Sequence, residues 1–219
     1  MSAASAPSQS KASTKPATPI VFIVDDDISV RESLELLIRS QSWQAETFES
    51  AKEFLERRRV IVPSCLVLDV SLPGLNGLDL QKRVAVERTE MPIIFIAGHG
   101  NVPMSVEAMK AGAVEFLTKP YREQELLEAI QRAIDQDGIT RQRSAELHAL
   151  QERYALLTPR EREVFPRVTS GLLNKQIAAE LGASEKTIKV HRGQVMQKME
   201  AESLADLIRM AEKLGLPSN

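Results

Sequence analysis

Ile20-Val21-Phe22-Ile23-Val24-Asp25-Asp26-Asp27 decides how the rest of the chain is read: five consecutive apolar residues run directly into three carboxylates. A strand with one wet face alternates apolar and polar side chains. An unbroken run of Val, Ile and Phe is instead buried on both faces, as in a parallel sheet covered by helices. Outward from this strand the pattern repeats. Residues 30–40 place Val30, Leu34, Leu37 and Ile38 on one helical face, residues 44–48 read as a strand, and Ser50-Ala51-Lys52-Glu53 opens a helix as a capping box. Further strands are expected at 65–69, 93–97 and 113–117, with helices at 78–86, 102–111 and 123–134. Five strands alternating with helices predict an α/β, doubly wound, five-stranded parallel sheet, because parallel neighbours need crossovers and helices must cover both faces.

Before this sheet, residues 1–19 hold five Ser, five Ala and three Pro without an aromatic, and read as a disordered tail. After it the strand signal stops. Thr158-Pro159-Arg160-Glu161 is a capping box with Pro at the first helical position, Asn174, Ser184 and Ser203 are candidate N-caps, and helices are expected to begin near 159, 175, 185 and 204. Leu181-Gly182-Ala183-Ser184 is a tight turn of the helix-turn-helix kind. Pro166 deletes a backbone hydrogen bond inside the first of these helices and predicts a kink there. Between the two parts, Leu147, Leu150, Tyr154 and Leu157 recur at spacings of 3, 4 and 3, the stripe of a helical linker able to pair, with Leu150 and Tyr154 as candidate dimer contacts.

The formal net charge of −2 conceals an asymmetry: residues 20–138 carry 13 bases against 20 acids, and residues 155–219 carry 10 against 8. An acidic body joined to a mildly basic end suggests two tasks, the second on nucleic acid. No apolar run approaches the ~18 residues of a membrane span, and the lone Cys65 excludes an intramolecular disulfide, so the expected compartment is the cytoplasm with no membrane partner.

Ligands of an open parallel sheet bind at the carboxyl ends of its strands. Asp25, Asp26 and Asp27 directly follow the first strand, Asp69 ends the third, and Lys119 lies just past the fifth. An Asp triplet alone reads as a helix N-cap with solvated neighbours. Joined by Asp69 and Lys119, the converging carboxylates call for a hard divalent cation, and magnesium fits. A carboxylate beside such a cation can attack phosphorus while a lysine holds the transferred oxygens, which is aspartyl-phosphate chemistry.

Val24-Asp25-Asp26-Asp27, Leu68-Asp69-Val70-Ser71-Leu72-Pro73-Gly74 with Gly77, Gly98-His99-Gly100 and Phe116-Leu117-Thr118-Lys119-Pro120 resemble the receiver domain of two-component response regulators. Leu157-Thr-Pro-Arg-Glu-Arg-Glu163, Asn174-Lys-Gln-Ile-Ala178 and Ser184-Glu-Lys-Thr-Ile-Lys-Val-His191 resemble a LuxR-type helix-turn-helix. The likeness is nearest to the FixJ-like subgroup. It implies a flavodoxin-like receiver at 20–136, a helical linker at 137–156 and a small all-α DNA-binding domain at 157–219. It also implies Asp69 as phosphoacceptor, magnesium held by Asp26, Asp69 and the Ser71 carbonyl with Asp25 acting through water, Lys119 paired with the phosphoryl group, a cis Lys119-Pro120 bond, and Phe116 as a switch aromatic. One departure stands out, since the fourth strand of such domains ends in Thr or Ser and here it ends in Ala97, whose methyl cannot donate a hydrogen bond.

On the expected recognition helix, Lys186, Lys189 and Arg192 share a face with Thr187 and Val190 beside them, while Ile188, Val195, Met196 and Met199 take the buried side. Lys189 and Val190 are expected at base edges, with Asn174, Lys175, Ser184, Thr187 and Arg192 about the DNA backbone. His99 reads as a loop residue, His148 as solvated, Trp43 as packing beside the second strand, and Arg57 to Arg59 as a solvated helix end. The resulting expectation is a transcription factor, not an enzyme, phosphorylated by a sensor histidine kinase and binding duplex promoter DNA as a homodimer. Its rivals are a pseudo-receiver controlled by a binding partner and an aspartyl-phosphate hydrolase of haloacid-dehalogenase type.

Overall fold

The computed structural model describes residues 17–74, 77–87, 91–98 and 102–216. Most of the expected tail, together with His99 and Gly100, lies outside the described residues. The chain divides into two compact units between Thr140 and Arg141, and each is described by itself.

In the first unit, β1 (Ile20–Val24), β2 (Gln44–Phe48), β3 (Ser64–Asp69), β4 (Ile93–Ala97) and β5 (Glu115–Thr118) form one parallel sheet in the order β2-β1-β3-β4-β5. The three central strands are buried at every residue, as their unbroken apolar runs require, and the edge strands β2 and β5 carry the mixed sequences. Alternation along β1 divides two cores. Phe22 and Val24 join Phe54, Leu80, Val84 and Ala108, on the face covered by α2 (Ala51–Glu56), α3 (Gly77–Glu87) and α4 (Val102–Lys110). Val21 and Ile23 join Leu34, Ile38, Leu126 and Ile130, on the face covered by α1 (Ile28–Ser40) and the first turns of α5 (Glu123–Ala155), with Trp43 packed at its margin. The strand order reverses between β1 and β3, which opens the crevice where an α/β sheet binds its ligand.

Several local expectations need correction. β5 starts at Glu115, two residues later than expected, after a turn at Gly112 with φ of +90°. Glu53 returns its carboxylate to the Glu49 N–H instead of the Ser50 N–H, although Ser50 does cap the Glu53 amide. Arg57 is no solvated helix end: it pairs with Glu46 at 2.5 Å and lies over the Phe22 ring at 5.4 Å, because β2 offers it a carboxylate and β1 an aromatic face. The helix expected to close at residue 134 runs on to Ala155, giving α5 a length of 33 residues, and Ala133, Ile134 and Asp137 keep its inner face buried where it passes the expected end.

The second unit holds α6 (Pro159–Thr169), α7 (Asn174–Leu181), α8 (Glu185–Met199) and α9 (Leu204–Lys213) around Phe165, Val168, Ile177, Ile188, Val195 and Leu207. α6 opens with the expected reciprocal capping box and runs unbroken through Pro166. Ser184 and Ser203 cap α8 and α9, but Asn174 is the first residue of α7 and not its cap. Leu173 takes that place, its N–H held at 2.8 Å by the Gln176 side chain. The stripe of Leu150, Tyr154 and Leu157 also requires correction. Leu150 and Leu157 are buried in this unit's own core and the Tyr154 ring stands 5.9 Å from that of Phe165, so Leu150 and Tyr154 are not presented for pairing.

Candidate functional site

The carboxyl ends of β1 and β3 place Asp25 and Asp69 on either side of the crevice, 3% and 6% exposed. Each carboxylate is oriented by the main chain. The Asp27 N–H donates to Asp25 Oδ1 at 2.9 Å, and the Ser71 N–H donates to Asp69 Oδ2 at 2.6 Å. Lys119, just beyond β5 and joined to Pro120 by a cis bond, is tethered by its own N–H to the Ala97 carbonyl at 2.8 Å. Its Nζ donates to Asp25 Oδ2 at 3.2 Å and to Asp69 Oδ1 at 3.1 Å.

One ammonium thus serves two carboxylates. Burial pushes the Asp25 carboxyl above its ordinary range, even though the Asp27 N–H and Lys119 work against it. Burial alone would lower the Lys119 ammonium, but its bonds to Asp69 and Asp25 outweigh that and hold it above its usual value. The arrangement keeps Lys119 charged and leaves the pair of acids one negative charge in excess.

The third expected carboxylate is not in the cluster. Asp26 is exposed, because successive residues of an extended chain point to opposite sides. Among the described residues no three Asp, Glu, His or Cys side chains come together as a metal-binding group. Asp27 fills the humbler role and caps α1 through the Ser29 N–H at 2.8 Å. The donor set still suits a hard divalent ion: two buried carboxylates with an uncompensated charge, and a third on the adjoining residue, are all oxygen ligands.

Two supports complete the crevice. Arg31, which sequence reasoning passed over, reaches back from α1 to the carbonyls of Asp25 at 2.7 Å and Asp26 at 3.0 Å, pinning the turn that carries them. Gly77 opens α3 against the end of β3, where a Cβ would lie 2.7 Å from the Asp69 carbonyl oxygen, and its N–H donates to Val70 O at 3.0 Å. Ala97 is buried at the end of β4 opposite Thr118, and Phe116 is half-buried with its ring 6.1 Å from Phe95.

In the second unit α7 and α8 meet at Gly182 in the left-handed region, φ +61°, the conformation a glycine adopts without strain. Ile188, Val195 and Met199 face inward, and Lys186, Thr187, Lys189 and Val190 are exposed on α8, with Lys175 exposed at the start of α7. Ser184 Oγ accepts from the Thr187 N–H at 3.1 Å and lies 2.8 Å from its hydroxyl. Asn174 and half-buried Arg192 bond each other at 3.4 Å, tying the two helices together. A partly buried ion pair holds α8 in place: Lys198 donates to Glu161 at 2.7 Å. Burial alone would raise the Glu161 carboxyl, but Lys198 and the Thr158 N–H hold it below the usual range. Asp137, buried on α5, is a further carboxylate that sequence reasoning missed, accepting the Ser64 N–H at 2.8 Å.

Residues 21–131 match the model of the response regulator receiver domain, and residues 155–211 match that of the luxR family of bacterial regulatory proteins. The chain is 52% identical over 209 residues to nodulation protein W of Bradyrhizobium diazoefficiens, covering 95% of this chain and 91% of that one. It is 44% identical over 195 residues to the response regulator protein TmoT of Ectopseudomonas mendocina, covering 89% of each. Among solved structures, the response regulator StyR aligns with a TM-score of 0.82 at 48% identity, covering 90% of this chain and all of that one. Full-length FixJ from B. japonicum aligns with a TM-score of 0.54 at 40% identity, covering 90% of this chain and 97% of that one. With an acidic crevice on a five-stranded parallel sheet and, later in the sequence, a basic helix-turn-helix, the chain belongs to the two-component response regulators that join a receiver domain to a LuxR-type DNA-binding domain.

Proposed function

We propose that Asp69 accepts a phosphoryl group from a phosphohistidine of a sensor kinase, and that this event controls binding of promoter DNA by α7 and α8. The observation that carries the reading is the shared ammonium: Lys119 bonds Asp25 and Asp69 at once, so the phosphoacceptor candidate sits beside its own charge-compensating group. In the transfer an Asp69 oxygen bonds to phosphorus, the phosphorus–nitrogen bond of the donor breaks with its electron pair going to the ring nitrogen, and the imidazole leaves neutral, taking up a proton from solvent. The Ser71 N–H holds the second carboxylate oxygen, and Lys119 follows the charge as it moves to the phosphoryl oxygens. Asp25, Asp26 and Asp69 with the Ser71 carbonyl would hold magnesium, which when bound supplies further neutralisation of the incoming phosphate.

The receiver occupies 20–136 in this reading, the helical connection 137–156 and the DNA-binding part 157–219. Lys189 and Val190 reach base edges, while Lys175, Ser184 and Thr187, with the Asn174–Arg192 pair, serve the DNA backbone. The active form is a homodimer. With Leu150 and Tyr154 committed to a core, the apolar stripe of Val102, Val106 and Met109, exposed at spacings of 4 and 3 on α4, is the surface for a second copy. Incubation with a small-molecule phosphodonor and magnesium, read by intact mass, tests the chemistry: one phosphoryl group is expected on the wild type and none on Asp69→Asn.

One feature favours a second reading, a receiver that signals by partner binding alone. Buried Ala97 offers no hydroxyl to a phosphoryl oxygen. A hydrogen bond to a charged acceptor contributes about 1.5–3 kcal/mol, so its absence weakens the switch by roughly tenfold or more without removing the acceptor. Ala97→Thr is expected to enlarge the phosphodonor-dependent gain in DNA affinity. Full gain in the wild type with no increase in the variant would show the hydroxyl to be irrelevant, and no mass gain at Asp69 would leave partner binding as the mechanism.

A further inference from the structure

Arg31 stands in the opening turn of α1, where the helix dipole opposes a cation and favours an acid, and α1 has no acid in that turn. What the half-buried side chain gains there is specific. A single nitrogen, Nη1, donates to the Asp25 carbonyl at 2.7 Å and to the Asp26 carbonyl at 3.0 Å, so neither bond is made to a carboxylate although three lie within six residues.

The second of these bonds acts beyond its own carbonyl. The Asp26–Asp27 peptide is trans, so its C=O and N–H point in opposite directions. With the carbonyl held by Arg31, the Asp27 N–H is turned to the other side, where it donates to Asp25 Oδ1 at 2.9 Å. The remaining oxygen of that carboxylate accepts from Lys119 at 3.2 Å, and Lys119 donates to Asp69 at 3.1 Å. A continuous line of hydrogen bonds therefore runs from Arg31 through one peptide plane and Asp25 to Lys119 and Asp69.

We propose that Arg31 is a positioning residue of the acidic crevice: by fixing the Asp26–Asp27 peptide it presets the Asp25 carboxylate for Lys119 and for a divalent cation, a role that rests on the phosphoacceptor function proposed above. A group that orients a metal ligand without touching the metal typically contributes about 10–100-fold in affinity or activity. If the guanidinium acted only as a charge the sign would be reversed, since a cation beside the crevice repels a divalent ion.

Arg31→Met and Arg31→Lys in the full chain decide between the two. In the metal-free protein the Asp27 amide proton of the wild type should resonate downfield, as an N–H bonded to a carboxylate does, and Arg31→Met should move it upfield. Arg31→Lys, shorter but still a donor to one carbonyl, should fall between them. Magnesium titrations followed by amide NMR shifts should show Arg31→Met weaker by about 10–100-fold. With a small-molecule phosphodonor, read by intact mass, its rate should fall by a similar factor at low magnesium and return toward wild type at saturating magnesium, a recovery that a damaged fold would not give. If Arg31→Met fails to fold, Arg31→Lys carries the same comparisons. An unmoved Asp27 amide, or magnesium held as tightly or more tightly by the variant, would overturn this role while leaving a normally phosphorylated wild type as it is. A wild type that takes no phosphoryl group would overturn the phosphoacceptor function and this role with it.

Discussion

The α carbon of Gly77 packs so closely on Asp69 that a Cβ there would stand 2.7 Å from the Asp69 carbonyl oxygen and 3.0 Å from the Val70 α carbon. Both neighbours are backbone, so neither can rotate away. Gly77→Ala must displace the end of β3, costing about 1–3 kcal/mol as an overpacked site does. Because misplacing a reacting group by ~1 Å can cost about 100-fold, phosphorylation by a small-molecule donor should slow by that order in a protein that remains folded. Stopped-flow rates beside a urea titration measure both effects. A rate equal to wild type would show that Gly77 does not position the acceptor.

Asp25→Asn should lose magnesium affinity and phosphorylation, yet fold at least as well as the wild type. The argument is one of linkage. Burial raises the Asp25 carboxyl above 3.8, so the native state binds that proton more tightly than the unfolded chain does. Its contribution therefore favours folding at low pH and is lost as pH rises through the interval between 3.8 and the raised value. Asn removes the dependence and, at neutral pH, the cost. Thermal midpoints of both proteins at pH 4 and pH 7, with magnesium titrations, decide it; a large drop in midpoint at pH 7 would contradict the assignment.

Lys198→Met should destabilise the second unit by roughly 1–3 kcal/mol, since it leaves the buried Glu161 carboxylate with the Thr158 N–H but no cation. Here the sign is opposite to that of Asp25. The depressed Glu161 carboxyl contributes stability that is present above the unfolded value of 4.5 and disappears as pH falls through the lower native value. The variant should differ from wild type most near pH 7 and least in acid, as calorimetry of the full chain across pH will show.

On DNA, Lys189→Ala and Lys175→Ala should fail in different ways. Loss of a base contact at Lys189 relaxes sequence preference, whereas loss of a phosphate contact at Lys175 weakens all duplexes alike and lowers the slope of log affinity against log salt by about one. Fluorescence anisotropy on a promoter duplex and a scrambled one, at several salt concentrations, separates the two. Identical behaviour would mean that α8 does not read bases.

Much of this architecture was legible because the residues that build it leave no second option. The central strands IVFIV and IIFIA tolerate only a doubly covered sheet, and Asp25, Asp69 and Lys119 fall at strand ends by position alone. What escaped depended on partners distant in the chain. Periodicity showed that Leu150 and Tyr154 share a helix face but not what covers it, and the occupant is Phe165 with its neighbours. Likewise an Asp triplet does not disclose which carboxylate enters the crevice. The answer came from alternation at the end of β1 and from the hold of Arg31 on the turn.

That hidden face of α5 also dictates where the second unit can be cut free. A protease or an engineer severing the chain at Leu157 would strip away Leu150 and Tyr154, baring the Phe165 ring and breaking the stack of Arg162 on the tyrosine at 5.4 Å. Severed at Arg141, the same unit keeps its lid of helix and the Glu146–Lys213 clasp. The second unit is therefore longer than its helix-turn-helix, and the sixteen residues from Arg141 to Leu156 travel with it as a largely exposed helix that lends Leu150 and Tyr154 to its core.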